Sequence, residues 1–173
     1  MNPFRYYLRV RYSECDAQKI VFNARYGEYV DLAVTEFMRV IGLNVSGTFV
    51  DFDYQLVKQT AQWRAPARFD QVLEISVQPK HIGNTSFSLL TEFRIAGNEP
   101  AIATVETIYV NVEPKQLTKA PIPENVRAAL ARGAPRVRVD HAGYLRNTRS
   151  LSTNSGPASS AKRPSPSRKP SSI

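Results

Sequence analysis

Four consecutive segments between Tyr54 and Val112 alternate apolar and polar side chains, and this pattern constrains the fold more than any other feature of the chain. Alternation with a period of two residues is typical of strands with one buried face. The predicted strands cover residues 54–64, 72–80, 85–95 and 101–112. Gly83-Asn84 and Gly97-Asn98 are turn sequences between the later strands, so consecutive segments are predicted to form antiparallel hairpins.

One strand and one helix are predicted before this region. Residues 4–12 alternate in the same way, whereas apolar residues recur every three or four positions over residues 24–41 and predict one amphipathic helix. A short second helix is predicted over residues 123–133, which have Pro near the start and Gly after the end. The expected fold is therefore α+β, with a five-stranded antiparallel sheet wrapped around one long central helix.

The span between the first strand and the long helix concentrates groups that can do chemistry. Glu14 and Asp16 follow the strand, and Asn23 precedes the helix. Asn is favoured at helix N-termini, where the first backbone N–H groups lack partners within the helix and can hold a developing negative oxygen. An acid just upstream of such donors suits the hydrolysis of an acyl group. A surface acid before an ordinary helix fits the same residues, so this local pattern leaves both interpretations open.

The charge of the chain is concentrated towards its C-terminus. The net charge is +8, but residues 135–173 contain eight of the 23 basic residues and one of the 15 acidic residues. We therefore expect a nearly neutral domain over residues 1–134 and a basic, Ser/Pro-rich tail over residues 135–173, disordered from about residue 143. Nucleic-acid binding is expected only as non-specific contacts of the tail.

Several classes of protein are not expected from the sequence. The single cysteine, Cys15, excludes an internal disulfide and a Cys-rich metal site, and it is expected to be buried as a small apolar residue. No Gly-rich phosphate loop, helical His pair or Gly-x-Ser-x-Gly sequence occurs. No secretory signal and no apolar run of bilayer-spanning length occurs either. We expect a cytoplasmic protein with no membrane contact, no metal and no cofactor.

At family level, Arg11-Tyr-x-Glu-x-Asp16 followed by Ile20-Val-Phe-Asn23 resembles the opening signature of hotdog-fold acyl-CoA thioesterases of the 4-hydroxybenzoyl-CoA thioesterase type. Tyr26, Tyr29, Asp31 and Glu36 continue the resemblance along the helix, and residues 66–75 and 86–89 extend it into the sheet. The resemblance covers roughly residues 6–112. It implies a homodimer or homotetramer with the active site between subunits.

The resemblance also implies roles for individual residues. Asp16 is expected to be the catalytic carboxylate, acting on the thioester as nucleophile or as general base for a water, and the Asn23 backbone N–H is expected to polarise the thioester carbonyl. The expected substrate is an acyl-CoA or acyl-carrier thioester, hydrolysed to the free acid and the thiol. The residues expected to bind substrate are Tyr26, Asp31, Lys80 and His81.

The sequence departs from the family pattern at three points, and two of them, Lys19 and the missing basic cluster, favour a second hypothesis. Lys19 stands where relatives usually have Gly, Asn23 replaces the His or Tyr of several relatives, and the Arg/Lys cluster that binds CoA phosphates in some relatives is missing. The alternative function is therefore a non-catalytic hotdog protein that binds an acyl thioester or fatty acyl group. Glu28 is expected to be a solvated first-turn acid, and Trp63 is expected in the core or at a subunit interface.

Overall fold

The computed structural model describes residues 3–43 and 52–146, and within them six strands form one mixed sheet. In sheet order, the strands are β2 (Asp53–Trp63), β5 (Ala101–Val112), β4 (Ser86–Ile95), β3 (Val72–Ile82), β1 (Phe4–Arg9) and β6 (Arg138–Asp140). The α+β class and the two antiparallel hairpins β3–β4 and β4–β5 agree with the sequence pattern.

The prediction of five antiparallel strands is wrong, because β6 adds a sixth strand parallel to β1. Only three residues of β6 pair, with Tyr6 opposite Val139 at the centre of the register. A strand this short shows no measurable alternation, and it lies in the basic segment that the sequence analysis assigned to the tail. Its position follows from the exposed edge of β1, which β6 covers.

The long helix α1 (Arg25–Val40) packs one face against the sheet. Its contact residues are almost completely buried: Tyr26, Tyr29, Val30, Ala33, Val34, Phe37 and Met38. Phe4 of β1 meets Phe37 edge-on at a ring-centre distance of 5.7 Å. Neither helix in the described part of the chain has the length and apolar character needed to cross a bilayer.

The short helix α2 (Glu124–Arg132) covers the end of the core away from the start of α1. The Arg127 side chain donates to the backbone oxygen of Gly83 at 3.0 Å, and the Arg132 side chain donates to that of Ile41 at 3.1 Å. These bonds tie α2 both to the β3–β4 turn and to the C-terminal end of α1. The N-terminal end of α1 therefore lies at the opposite, more open end of the core.

The two edges of the sheet are protected to different degrees. On the β1 side, residues after β6 add further contacts: Tyr6 O–H lies 3.0 Å from His141 Nδ1, and Tyr7 stacks on Tyr144. On the other side, β2 pairs with β5 alone among the described residues and is exposed along most of its length, including Leu56 and Trp63. The expected disorder from about residue 143 falls largely on residues 147–173, which lie outside the described part.

The contacts of β6 predict that two C-terminal truncations will differ. A chain ending at Ala134 should have a lower Tm than the full chain, because it loses β6 and uncovers the buried rings of Tyr6 and Tyr7. A chain ending at Arg146 retains all these contacts and should keep the Tm of the full chain. Thermal unfolding of the three proteins measures the difference. Equal Tm values for both truncations would contradict a structural role for β6.

Candidate active site

The loop after β1 is folded around the carboxylate of Asp16. Its Oδ1 accepts hydrogen bonds from the backbone N–H groups of Gln18 at 2.8 Å and Ile20 at 3.4 Å. The backbone of Asp16 adds two more bonds, donating to Ile20 and accepting from Lys19, both at 2.9 Å. Among the described residues, Asp16 Oδ2 has no hydrogen-bonding partner. The turn thus holds the carboxylate by one oxygen and leaves the other for a ligand.

Lys19 adopts the left-handed conformation in this turn, with φ of 63°. The resemblance to the family implies Gly at this position, where this chain has Lys. A side chain with a Cβ is strained at positive φ, whereas Gly is not. The turn around Asp16 therefore forms despite an unfavourable residue.

The same loop is fastened to the segment that joins β2 to β3. Val21 N–H donates to the backbone oxygen of Ala67 at 2.8 Å, and Ile20 forms an isolated antiparallel bridge with Arg68. Cys15 forms a second bridge with Val21 and packs partly buried against the core. These contacts hold Asp16 beside the segment that follows β2.

The start of α1 differs from the sequence expectation. Asn23 does not cap the helix: the cap position is Ala24, and no side chain caps it. Asn23 and Ala24 instead form a turn whose carbonyls accept from the N–H groups of Tyr26 and Gly27 at 3.3 Å. Their own backbone N–H groups donate to no residue that the structure describes. Two free donors therefore lie at the positive end of the helix dipole.

Asp16 and the start of α1 line one cavity of about 500 Å³. Asp16, Asn23 and Tyr26 contribute to its wall, so three of the six predicted site residues come together there. The remaining lining residues are Ile20, Val21, Phe22, Trp63, Arg64, Ala65 and Pro66. A second cavity of about 350 Å³ adjoins it and shares Asn23, Tyr26 and Trp63. The combined space is mainly apolar, with a carboxylate on one side and backbone donors between its two parts.

Tyr26 and Trp63 form the aromatic wall between the two cavities. Their rings meet edge-on at 6.1 Å, and Tyr26 also contacts Phe93 at 5.1 Å. Burial raises the pKa of Tyr26, so its hydroxyl remains protonated at neutral pH. Trp63 is half exposed, whereas the sequence predicted it in the core or at a subunit interface and not in the site. Its position three residues before Pro66, where the segment 66–75 that resembles the family begins, is the signal that could have identified it.

The other predicted site residues lie away from this cavity in a single chain. Lys80 forms an ion pair with Glu106 at 2.6 Å, and His81 follows it near the end of β3. The opposite end of β3, which adjoins the Asp16 loop, is eight residues away, or about 26 Å along the strand. Neither residue contributes to the wall around Asp16.

Two of the acids on α1, Asp31 and Glu28, also lie outside the wall around Asp16. Asp31 is about two turns along the helix from Asn23. Partial burial of its carboxyl raises its pKa above the ordinary value, although the residue as a whole is exposed. Glu28 pairs with Arg25 at the surface, as expected for a solvated acid. In the described residues, no group of three or more His, Cys, Asp or Glu side chains could hold a metal.

A comparison with protein families bears directly on this arrangement. The thioesterase-like superfamily matches residues 10–130, which include the Asp16 loop, α1 and strands β2 to β5. The chain belongs to this superfamily. The resemblance noted in the sequence is thereby confirmed, and so is the prediction of a thioesterase at the level of the family.

Individual relatives share most of their length with this chain. The acyl-CoA thioester hydrolase YbgC of Escherichia coli O6:H1 is 26% identical over 126 residues, covering 72% of this chain and 93% of YbgC. The 1,4-dihydroxy-2-naphthoyl-CoA hydrolase of Synechococcus elongatus is 22% identical over 130 residues, covering 73% of this chain and 94% of that enzyme. The solved structure of BH1999 gentisyl-coenzyme A thioesterase has a TM-score of 0.64 and 29% identity, covering 73% of this chain and 98% of BH1999.

The left-handed conformation of Lys19 predicts the effect of replacing it. Lys19→Gly should raise the free energy of unfolding by about 1 kcal/mol, because Gly adopts positive φ without the steric cost of a Cβ. Lys19→Ala is the matched control, since it removes the charge but keeps the Cβ, and it should give no such gain. Denaturant unfolding measures both. A loss of stability in Lys19→Gly would show instead that the lysine side chain makes a stabilising contact.

Proposed function

We propose that the protein hydrolyses an acyl-CoA thioester to the free acid and the CoA thiol, with Asp16 as the catalytic carboxylate. The observation that carries this proposal is that Asp16 and Asn23 line one cavity, and that the Asn23 backbone N–H has no acceptor among the described residues. Acyl-CoA thioesters are named as substrates of the relatives YbgC and 1,4-dihydroxy-2-naphthoyl-CoA hydrolase, which supports the choice of thioester.

In the proposed reaction, the thioester carbonyl oxygen accepts from the Asn23 N–H at the start of α1. Negative charge that develops on this oxygen is stabilised by the donor and by the helix dipole. Asp16 Oδ2, which has no hydrogen bond within the described part of the chain, then acts on the carbonyl carbon directly or removes a proton from an attacking water. The C–S bond breaks, and the thiolate leaves without needing strong acid assistance.

The direct and water-mediated routes give the same products. If Asp16 is the nucleophile, an acyl–aspartate anhydride forms and a water hydrolyses it, which restores the carboxylate. If Asp16 is the base, the water adds to the carbonyl carbon in one step. The apolar wall of Tyr26 and Trp63 limits bulk water around the thioester in both routes.

We also propose that the working form is a homodimer or homotetramer assembled through β2. An exposed edge strand presents unpaired N–H and C=O groups along its length. In β2 the edge is 11 residues long and carries the exposed side chains of Leu56, Val57 and Trp63. Because Trp63 also lines the cavity, a second copy on this edge would enclose the substrate. Lys80 and His81 remain proposed substrate-binding residues, acting across such an interface.

A cytoplasmic location remains a prediction from the sequence.

One observation favours the second candidate, a non-catalytic protein that binds an acyl thioester or fatty acyl group. Asp16 Oδ1 is already occupied by two backbone N–H groups of its own turn. A carboxylate whose role is to hold a loop needs no reaction to explain its presence. Hydrolysis and binding are separated by assays of thiol release and of acyl-CoA affinity on the same protein.

The hydrolysis proposal predicts the result of Asp16→Asn. Turnover should fall by on the order of 100-fold or more, because an amide is neither nucleophile nor base. The fold should persist, since the amide oxygen can still accept from Gln18 and Ile20. Asp70→Asn makes the same chemical change at an exposed acid outside this cavity and should keep turnover within about twofold.

Thiol release from a panel of acyl-CoA substrates, with acyl-CoA binding measured in parallel, tests this prediction. Retention of near wild-type turnover in Asp16→Asn would refute the catalytic assignment. Tight binding without turnover in the unmodified protein would support the non-catalytic candidate instead.

The proposed role of the Asn23 N–H is tested by a pair of substitutions. Asn23→Pro removes the backbone donor and should lower turnover by roughly 100-fold or more, the usual effect of losing one oxyanion donor. Asn23→Ala keeps the donor and should lower turnover by less than about threefold. Steady-state kinetics of both proteins, with circular dichroism to verify folding, give the comparison. An equally large loss of turnover in both proteins would assign the role to the Asn23 side chain instead of its backbone N–H.

A further inference from the structure

Glu14 connects the three segments that frame the Asp16 cavity. Its side-chain Oε2 accepts from the hydroxyl of Tyr29 at 2.8 Å and from the backbone N–H of Arg11 at 2.6 Å. Its backbone oxygen accepts from the N–H of Phe22 at 3.0 Å. One residue thus joins the end of β1, the buried face of α1 and the segment immediately before Asn23.

Tyr29 makes this connection a rigid one. The tyrosine is 1% exposed and lies on the buried face of α1, where its ring also meets that of Tyr26. Burial and the bond to Glu14 raise the pKa of Tyr29, so its hydroxyl is protonated and donates to the carboxylate. Leaving the buried Tyr29 hydroxyl without this acceptor would destabilise the fold, so the two side chains stay paired.

Because of its position in the chain, the contact of Glu14 with Tyr29 affects the placement of both Asp16 and Asn23. Asp16 is two residues after Glu14, and Asn23 is one residue after Phe22. The side chain of Glu14 therefore fixes where the loop leaves β1, while its carbonyl fixes where the loop arrives at α1. In the described residues, the Glu14–Tyr29 bond is the one side-chain hydrogen bond from this loop to α1. The hydrogen bonds of Asp16 close the turn on itself and do not reach the helix.

We propose that Glu14 is a positioning residue, which sets the Asp16 carboxylate relative to the Asn23 backbone donor through its contact with Tyr29. This inference rests on the proposed roles of Asp16 and Asn23. Small displacements between reacting groups are costly, since a shift of about 1 Å can lower turnover on the order of 100-fold. Glu14 touches neither cavity, so it acts on the reaction through Asp16.

The test compares three substitutions in the full-length chain by thiol release. Glu14→Ala removes the acceptor and should lower kcat roughly 10- to 100-fold while KM changes less than about threefold. Glu14→Gln retains an oxygen that can accept from both Tyr29 and Arg11, and it should restore kcat to within about threefold of wild type. Tyr29→Phe removes only the buried hydroxyl and should lower kcat by about fivefold or more.

Glu28→Ala is the matched control, because Glu28 is an exposed acid on the same helix whose one ion pair with a described residue is with Arg25 at the surface. Its kcat should stay within about twofold of wild type. A purely structural role for Glu14 would lower Tm without separating kcat from KM, so the split between these two constants, together with rescue by Gln, is the informative result.

The outcomes separate this inference from the function on which it rests. Full activity in Asp16→Asn would overturn the proposed function, and Glu14 would then have no catalytic group to position. An inactive Asp16→Asn together with kcat within about twofold of wild type in Glu14→Ala would overturn the inference alone. If Glu14→Ala does not fold, Tyr29→Phe decides: a kcat within about twofold of wild type would also overturn the inference.

Discussion

The burial of one face of α1 against the sheet is the constraint on which the rest of the structure depends. Its contact residues are at most 3% exposed, and the large ones each contribute about 1.5–3 kcal/mol through removal from water. This packing fixes the axis of the helix. It therefore also fixes the position of the Asn23 and Ala24 N–H groups at the helix start, which donate to no described residue. A donor on a mobile loop would need to be ordered during the reaction, whereas the start of α1 is already ordered by the core.

The loop that carries Asp16 is stabilised in a different way. Hydrogen bonds within the turn replace apolar burial. The strained conformation of Lys19 is held because the residues that follow it, Ile20 and Val21, pair with Arg68 and Ala67 on the neighbouring segment. Strain that persists because the surroundings over-determine the backbone is common at functional sites. Glu14 then joins this locally ordered turn to the core through Tyr29. The candidate site is thus a local turn placed accurately by a few long-range contacts.

The two edges of the sheet are covered to different extents, which is consistent with the proposed assembly. The edge at β1 is covered by β6 and by the contacts of His141 and Tyr144, whereas no described strand pairs with the outer side of β2 along its 11 residues. The open edge is also the one that ends at the cavity, because Trp63 is the last residue of β2. An uncovered edge beside a site open to solvent suits a second copy that closes both.

The sequence by itself determined the elements with local signals. Period-two and period-3.6 patterns predicted the strands β1 to β5 and both helices, and the Gly-Asn turns predicted the two hairpins. The motif around Asp16, Asn23 and Tyr26 indicated the family, and these three residues line one cavity. These features depend on neighbouring residues, so they are visible in the order of the chain.

Only the tertiary structure decided which distant elements meet. In the sheet, β2 lies beside β5 and β6 lies beside β1. Trp63 lines the cavity, and the helix cap is Ala24 and not Asn23. Lys80 and His81 lie away from Asp16 within one chain. Such pairings are set by the burial summed over many non-local contacts, and no short stretch of sequence contains that sum.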